Sequence, residues 1–152
     1  MIQRNADMKV SDNKSRSALH WAAQLGRVDF IKRLLEGDVD SQALDSHGAT
    51  PLHYAAAAGT TTQHCFSIDV LLEHGVSVDI ADETGSTPLI WASSKGASNA
   101  IVKLIESGAE IQQANNSGNT ALHGACTAGK SIAVEILISR GADCEAEKYG
   151  TQ

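Results

Sequence analysis

One ten-residue phrase is written four times in this chain. SALHWAAQLG begins at Ser17, TPLHYAAAAG at Thr50, TPLIWASSKG at Thr87 and TALHGACTAG at Thr120. Each copy has a hydroxyl residue first, an apolar residue third, small residues sixth and seventh, and a glycine tenth. The starts are 33, 37 and 33 residues apart. A second block follows in step: FIKRLLEG from Phe30, IDVLLEHG from Ile68, AIVKLIESG from Ala100 and AVEILISRG from Ala133. A third block punctuates, as DSHG ending at Gly48, DETG at Gly85 and NNSG at Gly118. Self-similarity at such a period outranks any local reading, because it means that one supersecondary unit is stacked on copies of itself.

One unit can be built from its residues. Thr50 is a good N-cap, and Pro51 at the first helical position gives up no hydrogen bond. LHYAAAA makes a slim helix that a neighbour can approach closely, and Gly59 is expected to end it as a C-cap. A second helix carries Ile68, Leu71 and Leu72 on one face. Gly75 stops it, and VSVDIADETG reads as an extended segment entering a tight turn. Helices this short are marginal alone. Each unit exposes an apolar face that only the next can cover, so Leu34, Leu71, Leu104 and Leu137 should be spread down a file. With only six Phe, Trp or Tyr among 152 residues, the core must be made of Ala, Leu, Ile and Val.

These blocks resemble the ankyrin repeat, whose pattern T-P-L-H-x-A-A-x-x-G, then I-V-x-L-L-x-x-G-A, then D-x-x-G matches from about Asp12 to Gly150. The resemblance implies an all-α solenoid of paired antiparallel helices with short β-hairpin fingers. Its expected layout is a cap segment over residues 1–11 and repeats over about 12–44, 45–81, 82–114 and 115–146, followed by the start of another finger. It also implies that Ser17 with His20, Thr50 with His53, and Thr120 with His123 exchange hydrogen bonds at the helix starts. Ile90 breaks that pattern, Ser15 replaces a turn glycine, and repeat 2 carries four extra residues within TTTQHCFS. That insertion either lengthens the second helix by about one turn or forms a loop at the end away from the fingers. Ile2, Met8 and Val10 are expected to cover part of repeat 1, and Val134, Ile136, Leu137 and Ile138 suggest a piece of a longer array.

Composition and motifs exclude several functions. A formal charge of −6 leaves no excess of Lys and Arg to displace counterions, which disfavours nucleic acid and anionic membrane. No apolar run is long enough to span a bilayer. The first residues contain no signal-like apolar core, and Cys65, Cys126 and Cys144 form no CxxC pair, so reduced thiols in a cytoplasmic or nuclear setting are expected. Cys126 falls in an alanine column and reads as a small core residue. No nucleophile elbow, phosphate loop or zinc-protease motif is present, and His64–Cys65 is at best half a metal site. The histidines repeat one bracing slot, and Asp45 and Asp82 open turns. Neither set converges on a catalytic centre, so no enzymatic activity, cofactor or metal is expected.

Binding is the remaining class. The resemblance implies a concave face made of finger tips and first helices, here Lys14, Arg16, Trp21, Gln24 and Leu25 in repeat 1, and His47 and Tyr54 in repeat 2. Repeat 3 adds Glu83, Thr84, Trp91, Ser94 and Lys95, and repeat 4 adds Asn116. Such a surface is shallow and nearly neutral with a basic corner at Lys14 and Arg16, and suits a protein or an extended peptide. Trp21, Tyr54, Trp91 and then Gly124 share one column. They either pack as spacers or anchor a partner. A structural spacer in a larger protein is the alternative function. A methyl-lysine reader is another, by likeness of LHWAA and LIWAS to certain histone-methyltransferase arrays, although Arg16 would repel a cation beside Trp21.

Overall fold

Ser17, Thr50, Thr87 and Thr120 all hold extended backbone angles, and each starts a short helix. The computed structural model describes residues 11–145. Within them the first helices are α1 (Ala18–Leu25), α3 (Pro51–Ala57), α5 (Pro88–Lys95) and α7 (Ala121–Thr127). The second helices are α2 (Val28–Glu36), α4 (Thr62–Glu73), α6 (Ser98–Glu106) and α8 (Ser131–Ser139). α1 packs on α3, α3 on α5 and α5 on α7, while α2, α4, α6 and α8 form a second file behind them. The buried set runs along both files, through Leu19, Leu52, Leu89 and Leu122 in one and Ile31, Leu71, Leu104 and Leu137 in the other. Leu34, in the first repeat, is only partly buried. The core therefore lies between successive repeats. The expected cover by Ile2, Met8 and Val10 and the expected start of a further finger after Glu145 fall outside the described residues.

The histidine brace holds in three repeats. The backbone N–H groups of Ser17, Thr50 and Thr120 donate to Nδ1 of His20, His53 and His123 at 3.0–3.1 Å. On the other side of the ring, His20 Nε2 lies 2.9 Å from the Ala49 carbonyl and His53 Nε2 lies 2.9 Å from that of Ser86. A carbonyl only accepts and a backbone N–H only donates, so both rings are neutral with the proton on Nε2. The braces of His20 and His53 thus close their own helix starts and tie them to the next finger. Ile90 leaves repeat 3 with only Thr87 Oγ1 accepting from the Ile90 N–H.

The fingers are turns. Among the described residues there is no strand, only a single antiparallel bridge between Ser11 and Ser17, so the expected β-hairpins are reduced to their closing bonds. In repeat 2 the Asp45 N–H donates to the Ala49 carbonyl and the Gly48 N–H to that of Asp45. Repeats 1, 3 and 4 reproduce this pair. Repeat 1 does so without glycine, because Ser15 takes the left-handed conformation (φ 60°), and its finger is therefore regular.

Two local expectations are corrected, and one of the two alternatives for the insertion is met. Gly59 is not a left-handed cap: the helix closes at Ala58, whereas Gly26 and Gly96 cap with φ near 70°. Gly59 is instead required by contact, since a Cβ there would collide with the Ala100 side chain. Cys126 is exposed, in the last repeat, rather than in the core. The insertion in repeat 2 makes α4 twelve residues long, against nine in α2, α6 and α8. It does so with a brace of its own: His64 Nδ1 lies 2.8 Å from Thr61 Oγ1, and its Nε2 lies 2.9 Å from the Gln24 carbonyl at the end of α1. Both ring nitrogens are thus engaged in hydrogen bonds. Ile68 and Leu71 stay buried, so the added turn leaves the apolar face where it was.

Candidate functional site: the finger and first-helix face

Each finger is organised by one side chain. A single oxygen of Asp12, Asp45 or Asp82 accepts two backbone N–H bonds across its turn, and the Asn115 amide oxygen does the same in repeat 4. The second carboxylate oxygen then reaches the aromatic column, nine residues further along. Tyr54 donates its hydroxyl to Asp45 Oδ2 at 2.5 Å, and Trp91 donates Nε1–H to Asp82 Oδ2 at 2.9 Å. In repeat 1 the link is indirect. Asp12 Oδ2 holds the Arg16 guanidinium at 2.8 Å, and that guanidinium lies 4.4 Å from the centre of the Trp21 ring. Both halves of the motif were visible in the sequence, but the aspartates read only as turn openers. The signal was the constant nine-residue step from Asp12, Asp45 and Asp82 to Trp21, Tyr54 and Trp91.

Electrostatics follow from this wiring. Burial by itself would raise the carboxyls of Asp45 and Asp82. The Tyr54 hydroxyl on Asp45, the Thr84 hydroxyl and Trp91 indole on Asp82, and the turn N–H bonds reverse that and hold both below the ordinary aspartate value. Tyr54 is pushed up to about 12 by burial and by its bond to Asp45. Burial likewise lowers His20 and His53, against the opposing pull of their carbonyl partners and of nearby carboxylates.

The rings touch in series. His20 meets Tyr54 edge-on at 5.3 Å, His53 meets Trp91 at 5.0 Å, and Tyr54 meets Trp91 at 5.6 Å. Finger tips are joined through the backbone: the Ser46 N–H donates to Lys14, that of Glu83 to His47, and that of Asn116 to Thr84. Lys14, His47, Glu83, Thr84 and Asn116 therefore form one exposed row. Trp91, Ser94, Lys95 and Thr84 line a recess between repeats 3 and 4 of about 440 Å³. Trp21 and Leu25 lie elsewhere, in an apolar cleft with Phe30 at the outer end of repeat 1. Gln24 is exposed, its carbonyl taken by His64. The basic corner shrinks to Lys14, because Arg16 is paired with Asp12. Arg16 also occupies the face of Trp21 that a methylated lysine would need.

Among the described residues no His, Cys, Asp and Glu group could hold a metal ion, and no helix is long and apolar enough to cross a membrane. A model described as ankyrin repeats (3 copies) matches residues 1–82, 33–115 and 61–148. The chain is 48% identical over 48 residues to neurogenic locus notch homolog protein 1 of Xenopus laevis, and likewise to that of Xenopus tropicalis; each match covers 32% of this chain and 2% of the relative. It is 40% identical over 70 residues to inversin of Danio rerio, covering 45% of this chain and 6% of that protein. The chain thus spans only a few per cent of these relatives' length. Four stacked helix pairs, three of them braced by a histidine, tied finger to finger and matched nearly end to end, make this chain a member of the ankyrin repeat family.

Proposed function

We propose that the chain is a non-catalytic interaction module that grips a protein or an extended peptide on the concave side formed by its finger tips and first helices. One observation carries this reading. The aromatic column is polar-anchored from within, by Asp45 and Asp82 directly and by Asp12 through Arg16, yet its rings stay partly open to solvent, with Trp21 41% exposed. Fixed, half-exposed aromatic rings lose little side-chain freedom on contact and are typical anchors of interfaces. The surrounding surface is shallow, which favours a macromolecular partner over a small molecule.

A second reading, a spacer between other parts of a longer protein, is supported by the small share of the relatives that the chain spans. Site-specific photocrosslinking separates the two. A photoreactive residue at Thr84, on the finger row, is compared with one at Glu73, exposed at the end of α4. Partner crosslinks at Thr84 and not at Glu73 support the module. Equal crosslinking at both positions, or none at either, removes it.

A further inference from the structure

The aromatic column has three gaps between its four positions, and each is filled differently. Between Tyr54 and Trp91 the rings themselves touch. Beside Trp21, the guanidinium of Arg16 lies on the ring while bonded to Asp12. Beyond Trp91 the next position is Gly124, which has no side chain to offer. A Cβ at Gly124 would stand only 2.6 Å from Ser94 Oγ, so this position is narrow as well as bare. The recess between repeats 3 and 4 opens there.

The residue that fills the first gap has a counterpart at the third. Arg16 follows its finger acid by four residues and precedes its aromatic by five. Ser86 bears the same relation to Asp82 and Trp91. Repeat 3 therefore has an acid and an indole at the positions of repeat 1 but no arginine between them, and the indole N–H bonds the acid directly. Asp82 Oδ2 accepts one bond, from Trp91 Nε1, and a carboxylate oxygen has capacity for another. Asn119 also lines the recess, with its side-chain oxygen buried behind the surface and without a donor among the described residues. A buried acceptor without a donor is costly, and a rotation of the Asn119 side chain toward the recess would let a ligand N–H relieve it.

We infer that the recess between Trp91 and Gly124 is a docking site for an arginine side chain of the partner, which takes there the place that Arg16 takes in repeat 1. This rests on the concave-face reading and gives that face a chemical preference. A guanidinium is flat, stacks on an indole and carries five donors in a rigid fork, and so meets Trp91, Asp82 and Asn119 together. A lysine ammonium offers neither the flat face nor the fork. The exposed ammonium of Lys95, at the rim, opposes a cation and weakens the site.

The chain has two tryptophans, so a nitrogen-15 correlation spectrum shows two indole N–H signals, assigned by Trp21→Phe. The full chain is titrated at low salt with N-acetyl-arginine amide, N-acetyl-lysine amide and N-acetyl-glutamate amide. The inference expects a saturable shift of the Trp91 indole with the arginine compound and at least threefold weaker binding of the lysine compound. It expects the shift to vanish in Ser86→Arg, where the arginine is supplied in cis, and the arginine Kd to fall several-fold in Lys95→Glu. Should Ser86→Arg not fold, Lys95→Glu, at an exposed position, carries the test alone. No saturable shift, equal response to lysine, preference for glutamate, persistence in folded Ser86→Arg, or an unchanged or higher Kd in Lys95→Glu each overturns it. Partner crosslinks at Thr84 without an indole shift would sink the arginine site and leave the module standing. An indole shift without any crosslink would remove the module and leave no partner to supply the arginine, and so would overturn the inference together with the reading beneath it.

Discussion

His53 donates from Nε2 to the carbonyl oxygen of Ser86 at 2.9 Å, across 33 residues of sequence. The bond ties one helix start to the next finger, and it requires a neutral ring, because Nδ1 must keep its lone pair for the Thr50 N–H. His20 does the same with Ala49 and Ser17. The stability of the stack is therefore linked to the protonation of two buried imidazoles.

The sign is fixed by burial. Both histidines have folded-state pKa values below 6.5, so as pH falls through 6.5 the unfolded chain takes up protons first. Their contribution is present above pH 6.5 and is lost below it, down to the lowered folded values, at up to about 1.4 kcal/mol per pH unit for each ring. Urea unfolding midpoints from pH 8 to 5 should fall over this interval. His20→Gln with His53→Gln should lower the plateau and flatten the slope. A separate loss should follow under stronger acid, where Asp45 and Asp82, depressed in the fold, are finally protonated. A midpoint that stays level from pH 7 to 5 would contradict the linkage.

Ile90 sits where the other repeats place the brace. Ile90→His should regain the bonds to the Thr87 N–H and to the Asn119 carbonyl. The gain expected from two buried hydrogen bonds replacing apolar contact is about 1 kcal/mol. The measured quantity is the urea midpoint at pH 8. A loss of more than about 1 kcal/mol would mean that the isoleucine packs better than the brace binds.

Gly59→Ala should destabilise by about 1–3 kcal/mol through overlap with Ala100. Because Gly59 is not left-handed, the cost is steric, and Ala100→Gly in the same chain should recover part of it. Gly75→Ala is the control: a Cβ there meets nothing within 4 Å, and only its φ of 89° is strained, so about 1 kcal/mol is expected with no rescue by Ala100→Gly.

Tyr54 should resist ionisation. Its hydroxyl is held by Asp45 and its pKa lies at about 12. A spectrophotometric titration should show an absorbance step near that pH which disappears in Tyr54→Phe. Asp45→Asn should move the step downward, since the negative neighbour is gone. A Tyr54-dependent step close to 10 in the native chain would mean that the hydroxyl is free.

The helix pairs and their N-caps were legible because each lies within one repeat, where periodicity and capping chemistry act locally, and the histidine brace was legible only through the resemblance to the ankyrin repeat. What escaped the sequence lies between repeats. Gly59 looked like any tenth-position glycine until Ala100 was found against it. Thr61 and His64 repeat the brace three residues apart, but inside an insertion that had no register to compare with. Cys126 shares its column with buried alanines, yet no described helix packs beyond it. Of the site, the aromatic column was visible. The acids that hold it were hidden by their other role in the turns, and Arg16 looked free because its partner, Asp12, opens the same finger.

The backbone bonds from Ser46 to Lys14, Glu83 to His47 and Asn116 to Thr84 have one more consequence. Loops joined this way cannot sway one at a time, so the tips keep a set pitch, like the teeth of a comb. A guest whose own side chains match that pitch finds its host already organised and meets little ordering cost. One out of step gains a single tooth and no more.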